Sequence, residues 1–468
     1  MDLTVLKEKL GGKPLAIFGL GQSGMATLEA ALSAGIAVYA WDDNADNVAT
    51  AKAKGATVEP LTQEILTGCA YLLLAPGVPL THPKPHEVVV AAKAVKLPVI
   101  SDIELFHLAY PKARTIGITG TNGKSTTTAL ITHILKEAGE DVVMGGNIGE
   151  AVMGLKSPTE KTVYVLELSS YQLDLCDRFA PMISILINMS KDHLDRHGDM
   201  AGYQAAKARI FHHQGSAVIG IDDIWSKEIA ERVQAKGTRA VTFVSVKEKL
   251  AQGVYVDENG FLYDDGRKIC DLKTCPNLVG AHNWQNAGVA YQALKEYGLA
   301  ESAIIHGLQT YGGLAHRQFT VETMNDIRYI NDSKATNDDA AAVALSAYET
   351  IYWLAGGKSK GGGYESCAAQ LKHVRHAFLI GAAAEEMAAW LKTRGIPYTV
   401  AHTLEAALQL AHEMAQDEKI KGAVVMLSPA CASFDQFKSF EHRGEVFESL
   451  VRAIAKQCQP TKHNGLKR

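Results

Sequence analysis

Residues 115 to 130 read TIGITGTNGKSTTTAL, and the rest of the chain is organised around them. A short β-branched run, Thr115 to Ile118, enters a loop rich in Gly and Thr. The loop ends in Gly123-Lys124-Ser125, and a helix-compatible segment follows to Leu135. Strand, glycine loop and helix N-terminus make an anion cradle, because the loop amides and the unpaired N–H groups of the first helical turn converge on one place. Lys124 would supply a mobile positive charge for β- and γ-phosphate oxygens, and Ser125 a hydroxyl for Mg²⁺. The spacing departs from G-x-x-x-x-G-K, which would put glycine at Ile118; the glycines here are Gly117 and Gly120. The competing reading is a glycine turn beside a solvated lysine. The strand before the loop and the helix after it favour the phosphate cradle.

Upstream, Pro14 to Phe18 reads as a strand, followed by Gly19-Leu20-Gly21-Gln22-Ser23-Gly24 and an Ala-rich helix. A second strand, Ile36 to Trp41, ends in Asp42-Asp43. This is a dinucleotide-binding fingerprint with an acidic residue placed to meet a ribose hydroxyl. It serves NAD, FAD or any nucleotide diphosphate, or only lets a helix pack closely on a strand. Tyr71 to Leu74 is a further strand, ending in Ala75-Pro76-Gly77-Val78, and SDIELF (101 to 106) leads to the phosphate loop.

Downstream, Thr162 to Leu168 delivers Glu167, and Ile183 to Asn188 delivers Lys191-Asp192-His193-Leu194-Asp195. Ligands of an open parallel sheet bind beyond the carboxyl ends of its strands, so these groups should converge with Lys124 and Ser125. Oxygen ligands suit Mg²⁺; His193 is an unusual one and reads equally as a loop histidine. Asn147 reaches a phosphate or sugar, or holds a left-handed turn. Lys207, among alanines on a helix, reads by itself as a solvated surface lysine. Residues 238 to 280 are β-rich with a hairpin at 257 to 260. Asn283 and Asn286 lie one helical turn apart, able to read an adenine edge or to cap the helix. Tyr311 to Arg317 looks like a hinge. Beyond it, Ile327 to Asn331, Thr350 to Ala355 and Ala423 to Leu427 repeat the strand-then-polar-loop pattern. The fold expected is α/β in three consecutive domains. Residues 1–110 form a Rossmann-like domain, 111–313 a P-loop ATPase-like domain with a mainly parallel sheet, and 314–468 a second Rossmann-like domain. The tail from Gln457 is polar and expected to fray.

The 468 residues exceed one ordinary core, and 47% hydrophobic with 21% charged content is globular. A net charge of −4 gives no basic footprint for nucleic acid. The N-terminus lacks a signal-peptide core, and no apolar run reaches a membrane span. Seven scattered cysteines without C-x-x-C pairs indicate reduced thiols in a cytoplasm. A dehydrogenase needs no phosphate loop with Mg²⁺ ligands, and an ordinary kinase needs no third domain. A ligase that activates one substrate with ATP and couples it to another needs all three.

The motifs TGTNGKS (119 to 125), GGNIG (145 to 149), LELSSYQL (166 to 173), DHLDRHG (192 to 198), GAHNWQNA (280 to 287), HR (316 to 317), NDSKATN (331 to 337) and SPACASFDQFKSFEHRG (428 to 444) resemble the Mur ligase family of peptidoglycan synthesis along essentially the whole chain. SDIELF and the segment 428 to 444 resemble the member that adds D-glutamate to UDP-N-acetylmuramoyl-L-alanine. The resemblance implies that the uridine diphosphate moiety meets Gln22, Ser23, Asp42 and Asp43, with Gly77 and Asn147 in the same channel. ATP would sit on Gly120, Thr121, Asn122, Gly123, Lys124, Ser125 and Thr126, with Asn283 and Asn286 near adenine and Arg317 and Asp332 reaching in. Mg²⁺ would be held by Ser125, Glu167 and His193. Lys207 matches a lysine carbamylated by CO₂, which gives a second Mg²⁺ an anionic ligand and reverses the surface reading. D-glutamate would meet Thr336, Lys360, Ser433, Phe434 and Phe440. Lys358 stands where an acidic residue is often found, leaving open whether Lys358 or Lys360 meets the side-chain carboxylate; Ser439 replaces a frequent asparagine. A cytoplasmic monomer is implied.

The chemistry would run through an acyl phosphate. Carboxylate and γ-phosphate are both anions, so Lys124 and Mg²⁺ must neutralise the transferring group. The amine needs a base, for which His193 and Asp332 are candidates. A nicotinamide-dependent oxidoreductase would rest on GLGQSG alone, and a non-catalytic nucleotide-binding regulator is disfavoured by Lys124, Glu167 and His193 together.

Overall fold

The structure is a computed structural model that describes residues 1–359, 361 and 363–458. Among the described residues the strands form three sheets taken from consecutive segments of the chain, the α/β arrangement expected. The chain divides into two compact units, Met1–Tyr311 and Gly312–Arg468, at the expected hinge. The first unit carries two sheets and the second carries the third.

The first sheet contains β1 (Leu15–Phe18), β2 (Val38–Trp41), β3 (Thr57–Val58), β4 (Leu72–Leu74) and β5 (Val99–Ile100), in the order β3-β2-β1-β4-β5. All its pairings are parallel. β1 is apolar and buried throughout because helices cover both faces. After β1 the chain must turn at once into the helix Gln22–Ser33. A Cβ on Gly24 would lie 1.9 Å from the Gly19 carbonyl oxygen, so glycine permits that close approach.

The second sheet runs β14-β13-β12-β11-β10-β9-β6-β8-β7. Its members are β6 (Arg114–Thr119), β7 (Val142–Gly146), β8 (Val163–Glu167), β9 (Ile183–Leu186), β10 (Ser216–Gly220), β11 (Val241–Ser245), β12 (Val254–Val256), β13 (Phe261–Asp264) and β14 (Arg267–Asp271). From β7 to β12 the pairing is parallel; β12, β13 and β14 form an antiparallel meander. The β-rich stretch of residues 238 to 280 therefore extends the central sheet. The helix Lys124–Glu137 buries Leu130, Ile131, Ile134 and Leu135 against it. With β6 between β8 and β9, the carboxyl ends of β6, β7, β8 and β9 lie along one edge.

The third sheet contains β15 (Phe319–Met324), β16 (Ile327–Asn331), β17 (Ile351–Gly356), β18 (Val374–Ile380), β19 (Tyr398–His402) and β20 (Val424–Leu427), in the order β15-β16-β20-β17-β18-β19. Only the β15–β16 hairpin is antiparallel. The loops after β16, β17 and β20 leave from neighbouring strands at one edge. The helix Phe440–Cys458 includes Gln457, correcting the expected start of the frayed tail. It is held on the sheet by Phe447 and Val451, both fully buried. Lys360 and residues 459–468 lie outside the described residues.

Candidate functional site

β6 and the helix Lys124–Glu137 are joined by a loop that the surrounding chain braces at every residue. The Thr121 amide donates to the Asn188 carbonyl at 2.9 Å, and the Asn122 amide to Asn188 Oδ1 at 2.9 Å. The Ser190 amide donates to Thr121 Oγ1 at 3.0 Å. Gly123 has φ +81°, and a Cβ there would fall 2.2 Å from Asn286 Oδ1. Gly117 plays a different part: a Cβ would press on Leu168, Ile210 and Pro181 at 3.2–3.3 Å, so this glycine lets the sheet be covered. That accounts for the unusual spacing, because Gly120 and Gly123 shape the loop while Gly117 packs beneath it. Asn286 and Asn283 are buried behind the loop. Asn286 Nδ2 donates to Asn283 Oδ1 at 3.2 Å, and Thr127 Oγ1 donates to Asn286 Oδ1 at 3.3 Å. Their amides brace the phosphate loop. Lys124 Nζ donates to the carbonyls of Gly120 and Thr121 at 2.9 and 2.8 Å.

Lys207 is 1% exposed, and the surface reading that its sequence context suggests is wrong in this fold. Its Nζ donates to the Gly120 carbonyl at 2.7 Å and to Thr119 Oγ1 at 3.2 Å. Burial, and then the charge of Lys124, hold its pKa well below the ordinary lysine value, with Asp192 and Glu167 opposing. The group is thus pushed toward the neutral amine, the form that attacks CO₂. Glu167, at the end of β8, is 2% exposed. Its Oε1 accepts from Asn147 Nδ2 at 2.8 Å, whereas Oε2 is buried with no hydrogen-bond partner. A bare buried carboxylate oxygen is costly unless a cation faces it, which fits a Mg²⁺ ligand. His193 has φ +52° and packs on the Tyr171 ring at 4.9 Å between centroids. Burial lowers its pKa; Asp192 opposes this, and Lys124 and Lys207 add to it, favouring the neutral imidazole that can bind metal. Among the described residues no three His, Cys, Asp or Glu side chains gather as a metal cage. Mg²⁺ fits this donor set because it keeps waters and substrate oxygens as ligands. Lys124, Glu167, His193 and Lys207, far apart in the chain, are brought within electrostatic reach of one another.

Beside them a cleft of about 430 Å³ is bordered by Gln22, Ser23, Asp42, Asp43, Gly77 and Asn147, the six residues expected for the uridine nucleotide. Asp42 is fixed by the Leu20 amide and by the Asn44 amide at 2.8 Å. Its pKa is lowered by these bonds in spite of burial, the largest opposing influence. Asn147 borders the cleft and donates to Glu167, so the cleft and the buried carboxylate share a residue. Sequence reasoning missed Arg196 and Gln172. Arg196 sits inside the quoted DHLDRHG and donates to the carbonyls of Gly77 and Val78 at 3.0 and 2.9 Å. Gln172 lines the cleft and completes a capping box with Ser169. The acids of SDIELF face inward: Glu104 accepts from the amides of Asp177, Arg178 and Phe179 at 2.9–3.1 Å.

In the second unit, Asp332 directly follows β16 and is 4% exposed. Its Oδ2 accepts from Ser428 Oγ at 2.7 Å and its Oδ1 from the Gln318 amide at 3.1 Å. Burial pushes its pKa up to about 7 against the pull of Ser428 and Arg317. Arg443 is fully buried and ties two loops together, with Nε donating to Ser333 Oγ at 2.9 Å and NH2 to the carbonyls of Ser333 and Cys431 at 2.9 and 3.2 Å. This brings the segments carrying Thr336, Ser433 and Phe440 to one edge. Ser433 is buried and Phe434 is 70% exposed. Lys358 is exposed on its loop and pairs through its backbone with Ala432. Ser439 Oγ accepts from the His442 amide at 3.2 Å, a capping role.

The family model described as Mur ligase middle domain matches residues 118–294, and that of the Mur ligase glutamate ligase domain matches 316–431. The chain is 46% identical over 455 residues to UDP-N-acetylmuramoylalanine–D-glutamate ligase of Nitrobacter hamburgensis, covering 95% of this chain and 97% of that one. The chain belongs to the Mur ligase family. A second Mur ligase of the same name, from Paramagnetospirillum magneticum, is 46% identical over 448 residues, again covering 95% of this chain and 97% of its relative. Solved structures show the same fold. UDP-N-acetylmuramate-alanine ligase of Thermotoga maritima superposes with a TM-score of 0.57 at 18% identity, covering 94% of this chain and 100% of the other. MurF of Acinetobacter baumannii superposes with a TM-score of 0.57 at 17% identity, covering 97% and 98%. Mur ligases use ATP and Mg²⁺, and the loop at 120–126 with the bare Glu167 oxygen suits that chemistry.

Proposed function

We propose that this chain is an ADP-forming amide ligase that joins D-glutamate to UDP-N-acetylmuramoyl-L-alanine in cytoplasmic peptidoglycan precursor synthesis, acting as a monomer. The observation that carries the reading is the convergence of Lys124, Glu167, His193 and Lys207 at one sheet edge, beside a cleft bordered by the six nucleotide residues. Two nucleotide sites lie side by side. The sugar nucleotide takes Gln22, Ser23, Asp42, Asp43, Gly77 and Asn147. ATP takes Gly120 to Thr126, with Asn283 and Asn286 behind the loop. The three modules are residues 1–110, 111–313 and 314–468, and Thr336, Ser433, Phe434, Phe440 and either Lys358 or Lys360 receive D-glutamate.

The substrate carboxylate attacks the γ-phosphorus of ATP, and the bond to the β–γ bridging oxygen breaks to give an acyl phosphate and ADP. Lys124 offsets the negative charge that gathers on the transferring group. Ser125, Glu167 and His193 would hold Mg²⁺, with a carbamate on Lys207 for a second ion, and the metal would supply charge neutralisation and Lewis acidity. The amine of D-glutamate then attacks the acyl carbon and phosphate leaves. His193 and Asp332 are the candidates to take the ammonium proton, and the Asp332 carboxyl, pushed up to about 7 by burial, would do so near neutral pH. Phosphate release from UDP-N-acetylmuramoyl-L-alanine, ATP and Mg²⁺ tests the proposal. Strict dependence on D-glutamate supports it; preference for L-alanine or a diamino acid assigns the chain to a sister activity.

A further inference from the structure

We infer that Arg196 is a positioning residue that couples occupancy of the sugar-nucleotide cleft to the geometry of the His193 metal loop. The inference rests on the functional reading above and deepens it.

Arg196 lies three residues after His193, in the short helix Leu194–His197 that His193 caps. Its guanidinium reaches out of the middle sheet's loops to the lip of the cleft. NH1 donates to the Gly77 carbonyl at 3.0 Å; NH2 donates to the Val78 carbonyl at 2.9 Å and the Pro76 carbonyl at 3.4 Å. Three consecutive backbone acceptors thus converge on one planar fork. A lysine cannot satisfy them together, because a point charge lacks the fork's spread. The lip itself borders the cleft through Pro76, Gly77 and Val78.

The other face of the fork is fixed just as firmly. The Arg196 guanidinium stacks over the Tyr171 ring at 4.7 Å. The same ring carries His193 at 4.9 Å and His197 at 5.5 Å, and His197 Nε2 meets Ser170 Oγ at 3.0 Å. Tyr171 follows Glu167 by four residues, across the turn from β8 into the helix Ser170–Asp174. The lip, Arg196, Tyr171 and His193 therefore form one contiguous packed series. A displacement of the lip on nucleotide binding displaces the fork, and the shared ring passes that shift to His193. Interiors packed this closely transmit small shifts instead of absorbing them. By linkage, the nucleotide and Mg²⁺–ATP must then affect each other's affinity equally.

The test is calorimetric titration of Mg²⁺ with a non-hydrolysable ATP analogue, with and without saturating UDP-N-acetylmuramoyl-L-alanine, on wild type, Arg196→Lys and Arg196→Ala. In wild type the sugar nucleotide should tighten analogue binding about 10-fold, within the usual span of coupling. In both variants that ratio should fall to within about two-fold of unity, while the analogue's affinity measured alone changes by less than about two-fold. An unchanged ratio in the variants, or none in a wild type that binds the sugar nucleotide, overturns the inference alone. Equal weakening of both ligands with a lowered melting temperature also overturns it, since that marks a merely structural residue. Arg196→Lys keeps the charge and a long apolar stem, so it decides the matter should Arg196→Ala not fold. A wild type that binds neither UDP nor the sugar nucleotide overturns the functional reading first.

Discussion

Lys207→Ala removes a side chain whose nitrogen sits in an unfavourable place for a charge. The ammonium is 1% exposed and repelled by Lys124, and its polar partners are the Gly120 carbonyl and the Thr119 hydroxyl at 2.7 and 3.2 Å. A structural lysine in that position would be a poor choice, whereas an amine kept neutral and then carbamylated exchanges a costly cation for an anion. Loss of an anionic metal ligand should raise the barrier by several kcal/mol, and each 1.36 kcal/mol is about ten-fold in rate, so turnover should fall roughly 1,000-fold. The vacated volume has room for a small carboxylate, and formate or acetate should restore part of the rate. Phosphate release from the complete reaction, run in CO₂-stripped buffer and again with bicarbonate, reads both effects. The sign of the pH effect follows from linkage. Because the folded pKa is depressed, the fold carries a penalty below that pKa that fades as pH rises toward the unfolded lysine value. In CO₂-free buffer, Lys207→Met should therefore flatten a rise in wild-type stability with pH. Full activity in Lys207→Ala, or a loss that no carboxylate relieves while wild type ignores CO₂ stripping, would refute the reasoning.

Glu167→Gln keeps the shape and the Asn147 bond but removes the charge behind the bare Oε2; the Mg²⁺ concentration for half-maximal activity should rise at least about 100-fold, read from a metal titration. Gly123→Ala places a methyl 2.2 Å from Asn286 Oδ1 in a left-handed backbone, at a strain of about 1–2 kcal/mol before the clash. The KM for ATP should rise about ten-fold and the melting temperature fall by a few degrees; an unaltered KM would separate the loop from ATP. Asp332→Asn should abolish a pH dependence of stability. With the folded pKa raised from 3.8 to about 7, the carboxyl's contribution is complete below pH 3.8 and lost as pH rises through 7, by at most about 4 kcal/mol, so chemical denaturation from pH 5 to 8 should show that fall in wild type and lack it in the variant.

The strands that carry the site were legible because they are short apolar runs ending at a polar or glycine-rich loop, and Ile327–Asn331 matches its sequence reading residue for residue. The parallel topology then told which residues meet, since ends of neighbouring parallel strands share an edge. Two kinds of information were not local. Burial of Lys207 depends on β6 and its loop, some ninety residues earlier, and nothing in its alanine-rich helix announces it. The hold of Arg196 on residues 76–78 is likewise a long-range contact, and its sequence signal is a motif without an assigned role for the arginine. Asn283 and Asn286 show the converse. Their one-turn spacing reads as two amides that face an adenine edge or cap the helix, and it does not tell that Asn286 meets Gly123 and Thr127, where glycine at 123 and asparagine at 286 depend on each other's size.

The departures from ordinary folding rules gather at one place. A buried lysine lacks a carboxylate at bonding distance, a buried glutamate has an orphan oxygen, a histidine holds positive φ, and glycines bend the loop between them. Each is unfavourable by itself, and none is needed to close the sheet, since β6, β8 and β9 pair in register without them. Local conflicts in an otherwise consistent sequence mark positions kept for chemistry. Here the conflicts are also complementary. Mg²⁺ would satisfy the bare Glu167 oxygen, and carbamylation would remove the Lys207 cation and put an anion near the same ion. On the proposed function, Mg²⁺ and ATP would relieve the strain at this edge, and that relief would be free energy available for holding ATP in place.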